Sequence, residues 1–305
     1  MNKEREDKRQ ESGKPGGGAG RKDEVGKSGV YPASGPYPEG NAELRGQAAW
    51  GQGERGAAGY EDHGGSELSY ASGQVLGGGD ASNMSMRVEI PVEDAKLEGE
   101  LSVPREVHGI VLFAHGSGSS RHSPRNQYVA QVLRDAGMAT LLFDLLTPEE
   151  DALDQRTAEL RFNIALLANR LKQVTEWVGE SPKISDVKVG YFGASTGAAA
   201  SLVAAAGPVR EISAVVSRGG RPDLAGSALP KVTAPTLLIV GGADPQVLQL
   251  NRGALGRLAC EKRLEVVSGA THLFEEAGTL EEVARLASHW FEQHMGRRGQ
   301  WVQAA

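Results

Sequence analysis

The chain has 305 residues, a formal net charge of −6, 39% hydrophobic and 24% charged residues, and one cysteine, Cys260. A lone cysteine excludes an internal disulfide and a thiolate metal cluster, and a mildly acidic balance gives no long-range attraction for nucleic acid. No apolar run reaches the ~18 residues of a membrane helix, and the charged start, Met1 to Asp7, has no apolar stretch behind it. The expectation is a cytoplasmic protein that engages neither nucleic acid nor membrane.

About half of the 41 glycines fall before Ala81, in about a quarter of the chain. Residues 1–84 combine mixed charges, Gly16-Gly17-Gly18, a Pro-rich Val30 to Pro38 and Gly77-Gly78-Gly79. Apolar residues there are too sparse to offset the entropy of ordering, so a disordered tail is expected. Its scattered Tyr31, Tyr37, Trp50, Tyr60 and Tyr70 leave open a short motif for a protein partner, against the simpler reading as a tether. A folded domain is expected over 85–297, with a short C-terminal tail at 298–305.

Within that domain Met86 to Ile90 alternates as a half-exposed strand should, and Ala95 to Val103 predicts a second. Ile110 to Ala114 is continuously apolar, as in a strand buried on both faces. Ser123-Pro124 caps and opens a helix that Gly137 closes, and Ala139 to Phe143 forms the next buried strand. Glu149 to Val178 reads as one long helix or a helix broken in two, with Leu160, Ile164, Leu167, Leu171, Val174 and Val178 on one face.

Strand Val187 to Phe192, a helix from Ser195 to about Ala206, and strands Ala214 to Ser217 and Thr236 to Val240 continue the alternation. A helix near Gln246 to Leu258, strand Arg263 to Val267 and a last helix carrying Leu280, Val283, Ala287 and Trp290 complete it. Short-looped strands alternating with helices imply an α/β fold with a parallel sheet covered on both faces.

Gly193-Ala194-Ser195-Thr196-Gly197 is the only G-x-S-x-G of the chain, set between a strand and a helix. Such a turn is tight enough to strain the serine backbone and to hold its hydroxyl clear of the sheet. A serine nucleophile needs a base, and the base an orienting anion. Asp244 and His272 each follow a later strand, 49 and 28 residues further on in turn, so all three share one sheet edge. His115-Gly116-Ser117-Gly118-Ser119-Ser120, after another buried strand, offers a backbone N–H from Ser117 or Gly118 to join that of Thr196 as an oxyanion hole. His115 reads as a brace of that loop rather than a base.

These residues (His115-Gly116, the Ser195 elbow, Gly242-Ala243-Asp244 and Thr271-His272) resemble the α/β-hydrolase superfamily, and within it the dienelactone-hydrolase-like branch, over residues 86–296. The resemblance implies an eight-stranded, mostly parallel sheet with antiparallel early strands and helices on both faces. It also implies the triad Ser195, Asp244 and His272, with Asp223 as the alternative acid. Dienelactone hydrolases proper carry a cysteine at the elbow; serine here keeps acyl transfer and removes the argument for a dienelactone substrate.

Only Arg218 to Ala234 separates two strands where the superfamily commonly inserts a cap, so no separate lid domain is expected. Leu145, Arg218 and Arg221 are candidates for substrate contact; the arginines would grip a carboxylate or phosphate, or else pair with a local acid such as Asp223. His289 and His294 are read as surface residues and Cys260 as near-core. The leading expectation is a serine hydrolase of small carboxylic esters, lactones or thioesters that needs neither metal nor organic cofactor. An acyltransferase on the same triad and a non-catalytic interaction module are the alternatives.

Overall fold

A computed structural model of the chain describes residues 84–296 apart from Asp94, Pro182, Lys183, Ser185 and Val209. The expected tails, 1–84 and 298–305, lie outside the described residues except Met84, which already belongs to the first strand.

Eight strands form one sheet: β1 (Met84–Val92), β2 (Ala95–Val103), β3 (Gly109–Ala114), β4 (Met138–Phe143), β5 (Lys188–Ala194), β6 (Ile212–Arg218), β7 (Thr236–Gly241) and β8 (Lys262–Val267). Their order is β1-β2-β4-β3-β5-β6-β7-β8, with β1/β2 and β2/β4 antiparallel and every other pair parallel. The helices are α1 (Pro124–Asp135), α2 (Pro148–Thr157), α3 (Ile164–Glu180), α4 (Thr196–Ala205), α5 (Pro245–Arg257) and α6 (Thr279–Met295).

Strand alternation divides the apolar side chains between two cores. Ile110, Leu112 and Tyr191 face Leu171, Val174 and Leu202 of α3 and α4. Val111, Phe113, Phe192 and Val216 face Val129, Leu133, Ala287 and Phe291 of α1 and α6. Burying each large apolar side chain contributes about 1.5–3 kcal/mol, so both faces of β3 and β5 are anchored.

The segment 149–178 is broken in two. Asp154, 1% exposed, turns its carboxylate back onto the N–H groups of Leu160 (2.8 Å) and Arg161 (2.9 Å), stopping α2 at a left-handed Ala158. A 3-10 turn, Leu160–Phe162, follows, and Asn163 caps α3 by accepting from Leu166 N–H. Leu160 therefore leaves the helical face on which the spacing set it, while Leu167, Leu171, Val174 and Val178 keep theirs.

From β3 the chain crosses to β4 on one side and then returns past β3 to β5 on the other, so the connections diverge between β3 and β5. A parallel sheet opens a crevice at such a point, outside the carboxyl ends of its strands. The loops after β3 and β5 begin at His115 and Ser195. Between β6 and β7 lies a 3-10 segment, Pro222–Lys231, and no separate lid.

Candidate active site

Ser195 joins β5 to α4 with φ 49° and ψ −118°, a region that a residue bearing Cβ enters only under strain. Two features hold it there. The Gly197 α-carbon packs so close to the preceding loop that a Cβ would sit 2.1 Å from Ala114 O and 2.5 Å from His115 O. The loop after β6 clamps the serine peptide from both sides: Ser195 N–H donates to Arg218 O (3.3 Å) and Arg221 N–H donates to Ser195 O (3.0 Å). Buried Asn251 fixes that loop through Gly220 O at 2.9 Å. The Arg218-Gly219-Gly220-Arg221 clamp was not anticipated from sequence; its signal was the glycine pair between two arginines.

Asp244 follows β7 and caps α5, and its two oxygens divide the work. Oδ1 accepts from Val247 N–H at 3.2 Å, and Oδ2 lies 2.8 Å from His272 Nδ1. Aspartate and imidazole are 16% and 24% exposed, reachable by solvent but largely shielded. The loop beyond His272 is fixed by Phe274, 1% exposed at φ 57°. Across the edge, a Cβ added to Gly219 would lie 3.6 Å from His272 Cε1, so the imidazole stands over the backbone that clamps Ser195. Among the described residues no hydrogen bond joins Ser195 Oγ to His272; such bonds are commonly long before substrate arrives. Asp223, the alternative acid, instead accepts a two-pronged pair from Arg221 at 2.9 and 2.8 Å, which engages that guanidinium locally.

The loop after β3 lies against the elbow: a Cβ on Gly116 would be 2.9 Å from Ser195 Cβ, and Ser117 Oγ sits 3.1 Å from Thr196 Oγ1. His115 organises this loop. Leu145 N–H donates to its Nε2 at 3.0 Å, which requires a lone pair there. The proton therefore resides on Nδ1, which donates to Gly116 O at 3.0 Å. Crowding by neighbouring atoms lowers the His115 pKa from the ordinary histidine value, through desolvation of the charged form, so the ring stays neutral.

A shallow hollow of about 20 Å³, room for about one water, adjoins this loop. Ser117, Thr196, Leu145, Leu146, Leu167 and Arg161 contribute to its wall, which includes neither Ser195 nor His272. Leu145, the candidate for substrate contact, is 1% exposed at this wall. Arg161 was missed; its Nε donates to Asp154 Oδ2 at 2.6 Å, and only the paired acid seven residues earlier hinted at its burial.

Arg218 is 8% exposed, with Nη2 3.5 Å from Asn126 Oδ1. Desolvation, reinforced by neighbouring Arg125, pulls its pKa down to about 10. His294 is not the surface residue expected: its side chain is 11% exposed, its ring packs on Trp290 and it faces Glu261 at 3.7 Å, whereas His289 is exposed. Cys260 is half-buried against the core. Among the described residues, no cluster of three or more His, Cys, Asp or Glu side chains is arranged to hold a metal.

The model of the dienelactone hydrolase family matches residues 97–295, about two thirds of the chain. The chain belongs to the dienelactone hydrolase family. This family member is 57% identical to a crystallographic dienelactone hydrolase from Anabaena variabilis, with a TM-score of 0.69, covering 70% of this chain and 99% of that one. The fold recurs in Est1E from Butyrivibrio proteoclasticus at 16% identity and TM-score 0.58, over 69% of this chain and 99% of that one. A Mycobacterium tuberculosis protein provisionally named as a phosphoribosyl transferase is 58% identical over 208 residues, 68% of this chain. The family member spans only 46% of the length of that relative. No helix among the described residues is long and apolar enough to cross a membrane.

Proposed function

We propose that the protein is a serine hydrolase acting on small carboxylic esters, lactones or thioesters. The observation that carries this reading is the Ser195 backbone, a non-glycine residue held at φ 49° where a strand meets a helix N-terminus. Strain of about 1–3 kcal/mol at one residue persists when the surroundings enforce it, and one of the enforcing loops here also bears the Ser117 amide proposed for the oxyanion hole. Family membership and the His272–Asp244 contact at 2.8 Å support the same conclusion.

In this mechanism Ser195 Oγ attacks the acyl carbon while His272 Nε2 takes the hydroxyl proton. Asp244 keeps the Nδ1 proton in place and stabilises the imidazolium that forms. The N–H groups of Thr196 and Ser117 receive the negative charge developing on the carbonyl oxygen. The alcohol or thiol leaves with the proton from His272; water, deprotonated by the same ring, then releases the acid and regenerates Ser195. Leu145 and Leu146, 1% and 9% exposed, supply the apolar part of the wall beside this loop. The transferase name of the mycobacterial relative belongs to a protein of which the matched segment is 46%, and it does not enter this mechanism.

The test is covalent labelling by a fluorophosphonate together with hydrolysis of short aryl esters. Wild type should label and hydrolyse, and folded Ser195→Ala should do neither, with turnover lower by at least about 10³-fold. Wild-type protein inert in both assays refutes the proposal. Acyl products formed with added alcohols or amines in place of water would assign an acyltransferase instead.

A further inference from the structure

Arg218 ends β6, paired with Ala194 of β5, and its carbonyl accepts the Ser195 N–H. Its side chain follows Ala214 and Val216 to the face covered by α1 and α6. There Nε and Nη1 are buried without a hydrogen-bond partner, and Nη2 reaches only Asn126 Oδ1, at 3.5 Å.

The neighbouring charge is of the same sign. Arg125, in the first turn of α1, also buries an unpartnered Nε, while its Nη1 donates outward to Glu275 Oε1 at 3.2 Å. Glu275 follows His272 by three residues and has a side chain 62% exposed. Among the described residues no carboxylate pairs with Arg218. The N-terminal end of α1 adds a further positive potential. Three buried guanidinium nitrogens without partners, from two arginines close enough to repel each other, therefore accompany the strand end that clamps the candidate nucleophile.

Buried cations are normally paired, because desolvating an unpaired one is costly and arginine does not discard its proton. An oxyanion resolves the cluster: it accepts from several N–H groups at once and cancels the repulsion between the two arginines.

We infer that Arg218, Arg125 and Asn126 form a subsite for an anionic group, carboxylate or phosphate, carried by the substrate that Ser195 attacks. The catalytic half of this inference rests on the serine-hydrolase reading; the anion site does not. A free anion would satisfy the same donors, but the position next to Ser195 and His272 favours one attached to the substrate.

The binding test follows thermal melting with inorganic phosphate or succinate at constant ionic strength, on wild type and on Ser195→Ala. Either anion should raise Tm by about 2–4 °C at roughly fivefold its dissociation constant, in both proteins. Arg218→Met should abolish the shift and melt no lower than wild type without anion, since an unpaired buried charge has been exchanged for an apolar chain. If Arg218→Met does not fold, Arg125→Gln, nearer the surface, should reduce the shift.

The kinetic arm compares an aryl hemisuccinate with the matching aryl acetate. The ratio of their kcat/KM values should fall at least about tenfold on loss of Arg218, as expected for charge-assisted hydrogen bonds. Phosphate should inhibit wild type competitively. No melting shift, or one that survives both arginine substitutions, overturns the site. Stabilisation by phosphate without competition overturns its assignment to the substrate. An inert wild-type enzyme that still gains Tm through Arg218 refutes the hydrolase reading alone.

Discussion

His115 offers a separation of two roles within one side chain. The peptide linking Gly116 to Ser117 is planar, so fixing the Gly116 carbonyl fixes the Ser117 N–H, which points the opposite way. His115 Nδ1–H fixes that carbonyl at 3.0 Å, while Nε2 accepts the Leu145 N–H at 3.0 Å. Asparagine places a side-chain amide near Nδ1, and glutamine reaches toward Nε2. His115→Asn should therefore keep the oxyanion peptide oriented but leave Leu145 N–H without its acceptor, a loss of about 1–3 kcal/mol in stability. His115→Gln should keep the Leu145 bond and leave the Gly116–Ser117 peptide held only by Ser119 N–H, which donates to Gly116 O at 3.2 Å. Removing one oxyanion donor outright costs about 10²–10³ in kcat, and a donor that keeps one of its two restraints should cost a smaller part of that, about 3–30-fold, with KM little changed. Urea melts and steady-state hydrolysis of an aryl acetate read the two effects separately. Equal kcat in the two variants, or full activity in His115→Gln, would refute the argument that the ring acts through the Ser117 amide.

The other expectations concern the same edge. Asp244→Asn leaves an acceptor for Val247 N–H but disturbs the imidazole tautomer, so kcat should fall by about 10³–10⁴ with Tm nearly unchanged. Asp244→Ala should lose in addition about 1 kcal/mol of helix capping, read by urea melts. Gly197→Ala drives a Cβ to within 2.1 Å of a backbone oxygen, and should either fail to accumulate as folded protein or lose the Ser195 geometry, checked by circular dichroism and fluorophosphonate labelling. His115 and His294 both have pKa values lowered by desolvation, so between the ordinary value of 6.5 and their folded values the unfolded chain binds more protons. Stability should be full above about pH 6.5 and fall as pH drops through that window, by at most about 1.4 kcal/mol per pH unit for each ring. Urea melts from pH 7.5 to 5 should lose the His115 share of this slope in His115→Asn and keep that of His294; an unchanged slope would exclude His115 as a source.

What was legible in the sequence depended on whether a local pattern carried it. Ile110 to Ala114 and Thr236 to Val240 announced buried strands because their β-branched and apolar residues have no polar face to show. Ser195 was legible because its turn needs small residues on both sides within five positions. Asp244 and His272 followed from the rule that parallel strands deliver their loops to one edge. The break in 149–178 was harder, because the apolar spacing runs on through Leu160. What stops the helix is the Asp154 carboxylate competing for backbone N–H groups, a contact that hydrophobic periodicity cannot register. The fates of the two arginines were equally hidden. Arg221 and Arg218 stand three residues apart in one loop, yet Arg221 is neutralised by Asp223 and Arg218 points into the sheet face with no acid beside it. Strand parity and the approach of α1 made that difference, and both are tertiary facts.

The placement of the unfavourable features argues that this edge was shaped for chemistry rather than stability. Ser195 at φ 49° and Phe274 at φ 57° are strained on adjoining loops, and the largely desolvated cation Arg218 ends the strand between them. Each strained backbone costs about 1–3 kcal/mol, a sum comparable with much of the net stability of a typical domain. Such a concentration is tolerable because β3, β5 and β6 are packed on both faces, so a local penalty cannot be relieved by shifting a strand without opening an apolar core. The same rigidity makes the penalties useful, because the serine, the imidazole and the buried guanidinium are oriented before any substrate arrives. It follows that relieving the strain should stabilise the protein only by loosening that orientation. Substitutions selected at Ser195 or Arg218 for higher Tm should therefore be poorer hydrolases, whereas stabilising changes on the outer faces of α5 and α6 should leave kcat/KM intact.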